Sequence, residues 1–416
     1  MDNLSHSVAG LALGECIHRS LPPEADTASE RVRHRLLLFA AWAASNFPDL
    51  DLVLTPLLPA PLGYLLHHRG HTHTFLYAIP QALLLWALVM LCWPAARRLT
   101  RRSRHARHGF IAAIGAGLVL HLLMDFLNSY GIHPFHPFDS QWLYGDLVFI
   151  LEPVFWVAFG VPLALTAPGR ALRAALLVLL AGVPLFFTLR GFLSWGSFAF
   201  LMLCGATGAL AARRAAPRSV RALAAAFLIG IGFVLVQAAA SREARRVVTE
   251  TLQREAPAER VLDVSMTAFP ANPLCWNFVA IASDEAGGSY ALRGGTVSAL
   301  PALFAVGACP PGLSAAGRGD RRAVAPLFER RGDLHMLRAL KEGNCHVEAW
   351  LRFARMPWVN DETATDLRYG MTGNFSTLRL ADFRQRECAQ GVPGWDFPRA
   401  DLLAPPAPRS GPSRGQ

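Results

Sequence analysis

The sequence predicts a mainly α-helical fold, a polytopic bundle of membrane helices followed by a smaller external α+β domain. Three observations carry that expectation. The chain of 416 residues is 52% hydrophobic and only 17% charged, too apolar for a soluble protein of this size. Apolar runs near the roughly 20 residues that cross a bilayer recur up to residue 240. From Ser241 onward such runs shorten, and Pro, Gly, Asp, Glu and Asn reach the frequencies of a soluble domain.

Two short apolar runs come first, at residues 8–16 and 36–46. Both are marginal spans suited to short, tilted or re-entrant helices, and Pro48 closes the second. Six longer runs follow, at 75–95, 109–128, 147–166, 171–189, 194–212 and 222–240. The expected divisions are a helical membrane domain at 1–240, an external soluble domain at 241–401 and a Pro/Gly/Ser-rich disordered tail at 402–416. In the external domain 261–269 and 277–282 read as strands, and 321–341 leans helical. No internal repeat is evident.

Arginines give the orientation. Arg97, Arg98, Arg101, Arg102, Arg104 and Arg107 follow the first long run, Arg170 and Arg173 the third, and Arg213, Arg214, Arg218 and Arg221 the fifth. Every second loop is basic and therefore cytoplasmic. The loops at 129–146 and 190–193, and everything after the sixth run, are then external. The net charge of +10 thus carries topology, and no nucleic-acid partner is expected. The first 14 residues hold Asp2 and no Lys or Arg, so a cleavable signal peptide is not expected. Of seven cysteines, Cys275, Cys309, Cys345 and Cys388 fall in the external part, enough for two disulfides in an oxidising compartment.

Four polar groups carry the chemistry, and all lie on the external side of this topology: Ser5-His6, Asp49 with Asp51, the run from His67 to His73, and His121 with Asp125. His121 and Asp125 are four apart in an expected helix, so both side chains share one face and can grip one ion. The plain alternative is a buried hydrogen bond between helices. His67, His68, His71 and His73 offer imidazoles beside Arg69, which can pair with a phosphate or carboxylate or else meet a lipid headgroup. Asp49 and Asp51 follow Pro48 on an expected turn, where they can share a metal or merely cap the turn. Ser5 is a plausible cap for a helix carrying His6. His133, His136, Asp139, Asp146 and Glu152 stand near the same helix ends, with Glu152 expected one turn inside the next span. Mixed His and carboxylate donors suit zinc, manganese or iron better than a thiolate site does.

Together, Ser5-His6, Pro48-Asp49-Leu50-Asp51, His68-Arg69-Gly70-His71-Thr72-His73 and His121-Leu122-Leu123-Met124-Asp125 resemble the YdjM-like family of membrane-bound metal-dependent hydrolases. The resemblance covers residues 1 to 166 well, and the rest looks like a longer form. It implies a multi-pass inner-membrane hydrolase with His6, Asp49, His68, His73, His121 and Asp125 at the matching metal positions. Ser5 stands where many relatives carry Thr, and His71 where others differ. The His-x-x-x-Asp element is also similar to that of zinc-dependent phospholipase C, which suggests phosphoesters.

The expected cofactor is a divalent metal, zinc first, with manganese or iron as alternatives. Expected partners are membrane lipids and a small-molecule or lipid ester or phosphoester. Asp51, Arg69 and Asp146 are the expected catalytic residues, with Asp51 or Asp146 as general base and Arg69 on the developing anion. The rival is a non-enzymatic metal-binding membrane protein, either a transporter or a scaffold for the external domain. A transporter needs polar groups through several spans, and here they gather on one side.

Overall fold

Antiparallel helices α1 (Asn3–Ser20) and α2 (Thr27–Ala44) open the computed structural model, which describes residues 1–404 apart from 215, 217, 285, 286 and 372. Asp2, rather than Ser5, caps α1, its carboxylate accepting from Ser5 N at 2.9 Å. Ser5 is instead buried and accepts from Trp156 Nε1 at 2.8 Å. After α2 the chain tightens into a 3-10 segment, Phe47–Leu57, where Pro48 can enter because a first-turn residue needs no N–H partner. The short helix α3 (Leu62–His67) then leads into α4 (Phe75–Cys92).

Beyond α4, the arginine-rich α5 (Pro94–Arg102) turns the chain into α6 (Arg104–Phe126). Helices α7 (Pro153–Thr166), α8 (Arg170–Leu189), α9 (Trp195–Arg214) and α10 (Arg221–Glu255) complete the bundle. Among the described residues six helical stretches are long and apolar enough to cross a membrane: Thr27–Leu57, Phe75–Cys92, Arg104–Phe126, Arg170–Leu189, Trp195–Arg214 and Arg221–Glu255. The expected run 147–166 differs. Its helix starts only at Pro153, and Glu152 is not inside it but caps it, accepting from Val154 N and from Ala271 N, both at 3.1 Å. Conversely, the stretch containing α2, which looked marginal, is long enough once its 3-10 extension is added.

Close helix approach depends on two glycines. A Cβ on Gly10 of α1 would lie 2.6 Å from Ser45 Oγ, and one on Gly117 of α6 would lie 2.7 Å from Ala44 Cβ. Small residues therefore let α1, α2 and α6 meet near the end of α2. That contact brings His6 and His121 together.

The α10 helix has 35 residues, about 52 Å at 1.5 Å per residue against a hydrocarbon core of about 30 Å. Its last turns must leave the apolar layer. Ala244, Val247, Val248 and Leu252 pack there on Val264, Met266, Trp276 and Phe278 of an antiparallel sheet. That sheet runs in order β1 (Arg260–Phe269), β2 (Asn272–Asp284), β3 (Ser289–Ser298) and β4 (Val324–Asp333). The helical leaning of 321–341 thus holds only for its second half, α11 (Leu334–Gly343). Pairing with β3 overrides the propensity of the first half, and charged Glu329, Arg330 and Arg331 guard β4 as an edge strand.

Helix α12 (Cys345–Leu351) and a small sheet of β5 (Pro357–Val359), β6 (Thr363–Asp366) and β7 (Leu378–Arg379) finish the outer α+β domain. Disulfides join Cys275 to Cys309 and Cys345 to Cys388. A last turn, α13 (Ala400–Leu403), buries Leu402, so the expected tail packs at its start, and 405–416 lie outside the described residues.

Candidate metal centre

Two imidazoles and two carboxylates converge where α6 meets the 3-10 segment Phe47–Leu57 and a second, His71–His73. Asp49, His73, His121 and Asp125 each offer one ligand atom, and these atoms all lie within 4.8 Å of one another. All four residues are buried. His73 Nε2 and His121 Nε2 are 3.0 Å apart; Asp125 Oδ2 lies 3.0 Å from the first and 3.5 Å from the second. Asp49 Oδ1 stands 3.5 Å from His73 Nε2 and 3.7 Å from His121 Nε2. Donor atoms a little over 3 Å apart are what an ion with bonds of about 2 Å to four ligands requires.

The surroundings aim these donors. His121 Nδ1 meets the Ser45 carbonyl at 2.7 Å, and His73 Nδ1 faces Asp51 Oδ2 at 3.3 Å and Thr72 Oγ1 at 3.0 Å. Both rings therefore turn Nε2 to the common point, the usual way a carbonyl or carboxylate orients a metal-binding histidine. Burial opposes charge on His73, but hydrogen bonds to Asp125, Asp49 and Asp51 together outweigh it and push its pKa up to about 10. The Met1 amino group also reaches Asp125 Oδ1.

The remaining expected ligands are arranged around this group. His6 stacks on His121 with ring centroids 4.1 Å apart, and its Nε2 is 3.1 Å from Asp125 Oδ1. His68 lies outside the four: its Nδ1 bonds Asp51 Oδ1 at 3.0 Å, and its ring lines the adjoining cavity. Asp51 is thus a hub, also accepting from Arg69 N at 2.9 Å and Thr72 Oγ1 at 2.7 Å. These bonds hold Arg69 in the left-handed backbone region, φ 58°, which costs a non-glycine residue on the order of 1 kcal/mol. The Arg69 guanidinium reaches Asp125 Oδ1 at 3.1 Å and Asn128 Oδ1 at 2.9 Å.

Asp146 is not gathered into this group. Arg355 and Arg245 of the outer part hold its two carboxylate oxygens, each at 3.0 Å. His133 stacks on Trp395 with centroids 4.1 Å apart, and His136 bonds Ser140 Oγ at 2.9 Å. Sequence reasoning missed Ser45, which acts through its carbonyl and so leaves no side-chain signal. It also missed Thr72, whose place inside the His-Thr-His run was the available clue.

The model of the YdjM inner membrane protein family matches residues 1–244, more than half of the sequence. The chain belongs to that family. All four donors of the candidate centre fall inside the YdjM stretch, and the outer sheet falls beyond it. The chain is also similar to the uncharacterized protein YfhP of Bacillus subtilis (strain 168), 30% identical over 169 residues, which are 41% of this chain and 47% of YfhP. It therefore spans about half the length of that curated relative. No solved structure matches.

Proposed function

We propose that this YdjM-family protein is a metal-dependent hydrolase of the bacterial inner membrane, cleaving an ester or phosphoester at the outer interface. The observation that carries the reading is the buried Asp49, His73, His121 and Asp125 group beside a cavity of about 390 Å³, which Asp49, His68 and Arg69 line. A divalent ion held by the four, zinc first, with manganese or iron suited to the same donors, supplies Lewis acidity toward water and ester oxygen.

The chain's own groups divide the remaining work. His68 faces the cavity with Asp51 behind its Nδ1. It is the general base, with Asp51 orienting its ring and stabilising the imidazolium. Arg69 Nε has no partner among the described residues, and it donates to the anion that develops on the substrate. Asp146, paired with two arginines, serves the junction with the outer domain instead.

The same proposal puts the outer domain in the periplasm. Its supports are the arginines at the opposite helix ends and the two disulfides. A transporter fits less well, because residues 174–189, 195–212 and 222–241 contain no acidic or basic side chain. Metal analysis of detergent-purified protein, then a phosphoester and lipid-ester screen with and without chelator, tests the reading. About one bound divalent ion per chain and chelator-sensitive turnover are expected. Absence of bound metal after reloading, or turnover indifferent to chelator, would overturn it.

A further inference from the structure

The cavity beside the metal group is closed from above by the outer domain. Tyr369, Phe375, Arg368 and Thr267 line it together with Tyr64 and Tyr130 of the membrane part. The roof is latched in place: Arg368 donates to the Ser129 carbonyl at 2.7 Å, just after the metal helix, and is held by Asp366 at 2.7 Å. Phe375 meets Tyr369 and Tyr64 with ring centroids 4.6 and 5.4 Å apart.

Three donors around this space have no partner among the described residues: Arg69 Nε, Asn128 Nδ2 and Tyr369 Oη. Buried donors left unpaired are costly, and all three belong to residues that line this one cavity, so a ligand seated there is the partner they lack. Three separate donors, one on a guanidinium, match the three outward oxygens of a phosphate better than the two of a carboxylate. A space of about 390 Å³ holds a headgroup, not a whole lipid. Its other rim is apolar: Leu52 and Ile150 are 44% and 49% exposed, which suits acyl chains passing to the bilayer.

We infer that this cavity binds an amphiphile with a phosphate head, the phosphate under Tyr369 and the tails leaving past Leu52 and Ile150. The inference rests on the hydrolase reading for its consequence but not for its test, which reads binding. Full-length protein in detergent is titrated with a short-chain phosphatidic acid, with the matching diacylglycerol and with inorganic phosphate, while bound metal is measured in parallel. The phosphatidic acid should bind about tenfold or more tighter than either fragment. Tyr369→Phe should weaken it by about fivefold, the loss of one hydrogen bond, and Leu52→Asp should bring it near inorganic phosphate, both with wild-type metal content.

Phosphatidic acid binding no tighter than phosphate, no measurable binding, or no effect of Tyr369→Phe overturns the site. An unaffected Leu52→Asp overturns the tail exit. Wild-type protein without metal that still shows the binding pattern sinks the hydrolase proposal and leaves the cavity standing; metal present with the pattern absent does the reverse.

Discussion

Asp51 lies 3.3 Å from His73 Nδ1, while His73 Nε2 faces Asp125 at 3.0 Å. One carboxylate thus stands behind a ring whose other nitrogen points into the candidate metal group. Asp51→Asn keeps the size and loses the charge that strengthens His73 as a donor. Metal affinity should fall by about 10- to 100-fold, the usual cost of losing such a partner, as read by chelator competition. Unchanged affinity would make Asp51 only a fastener for the Arg69 turn.

Removing a donor outright should do more. His121→Ala and Asp125→Asn each delete one strong ligand from the four while their helix stays buried among α1, α2 and α4. Elemental analysis should find most bound metal gone, with the protein still inserted and folded. Wild-type metal content in both variants would mean that the pair merely joins helices.

Much of this was legible before folding. The His121 and Asp125 spacing declared one helix face, and four of the expected metal positions do gather in one buried group. Less visible was anything that depends on contacts across the chain. The start of α7 is moved to Pro153 because Glu152 is tied to Ala271, 119 residues away. Strand β4 is recruited by β3, against its own composition. His68 and Asp146 look like equals of His73 and Asp51 in the sequence. Only packing shows that the first bonds Asp51 and the second belongs to a pair of distant arginines.

Arg69 separates a hydrolase of anionic esters from a simple metal binder. Arg69→Lys keeps the charge but loses the planar fork and the Nε donor. Metal content should stay within error of wild type, and turnover of a phosphoester found in the screen should fall about tenfold or more. Full activity in Arg69→Ala would reduce this side chain to a headgroup contact.

Sidedness has a direct readout. A periplasm-active reporter fused after residue 240 should be active, and a cytoplasm-active one silent. Non-reducing gels should show faster migration that is lost on reduction and in Cys275→Ser and Cys345→Ser variants. A reporter active only in the cytoplasm would invert the topology and carry the metal group inside with it.

The junction between the two parts depends on Arg355, which bonds Asp263 Oδ2 at 2.7 Å and Asp146 Oδ1 at 3.0 Å. Burial pushes the Asp263 carboxyl upward, but Arg355, Arg399 and Arg245 more than offset this and hold it well below the usual carboxylate range. A carboxyl lowered on folding contributes stability above its unfolded pKa of about 3.9 and loses it as pH falls through the folded value. Wild-type thermal stability should therefore drop below about pH 4, and Asp263→Asn should flatten that slope. Arg355→Ala leaves Asp146, which is fully buried, with Arg245 as its remaining guanidinium. A loss of about 3 to 5 kcal/mol is expected for such a broken buried pair, and proteolysis should release the outer domain at lower temperature. Because the outer domain also roofs the cavity, the same variant should weaken phosphatidic acid binding without lowering metal content. If stability and lipid binding both stay at wild-type levels, the Arg355 junction is not what holds the roof over the metal group.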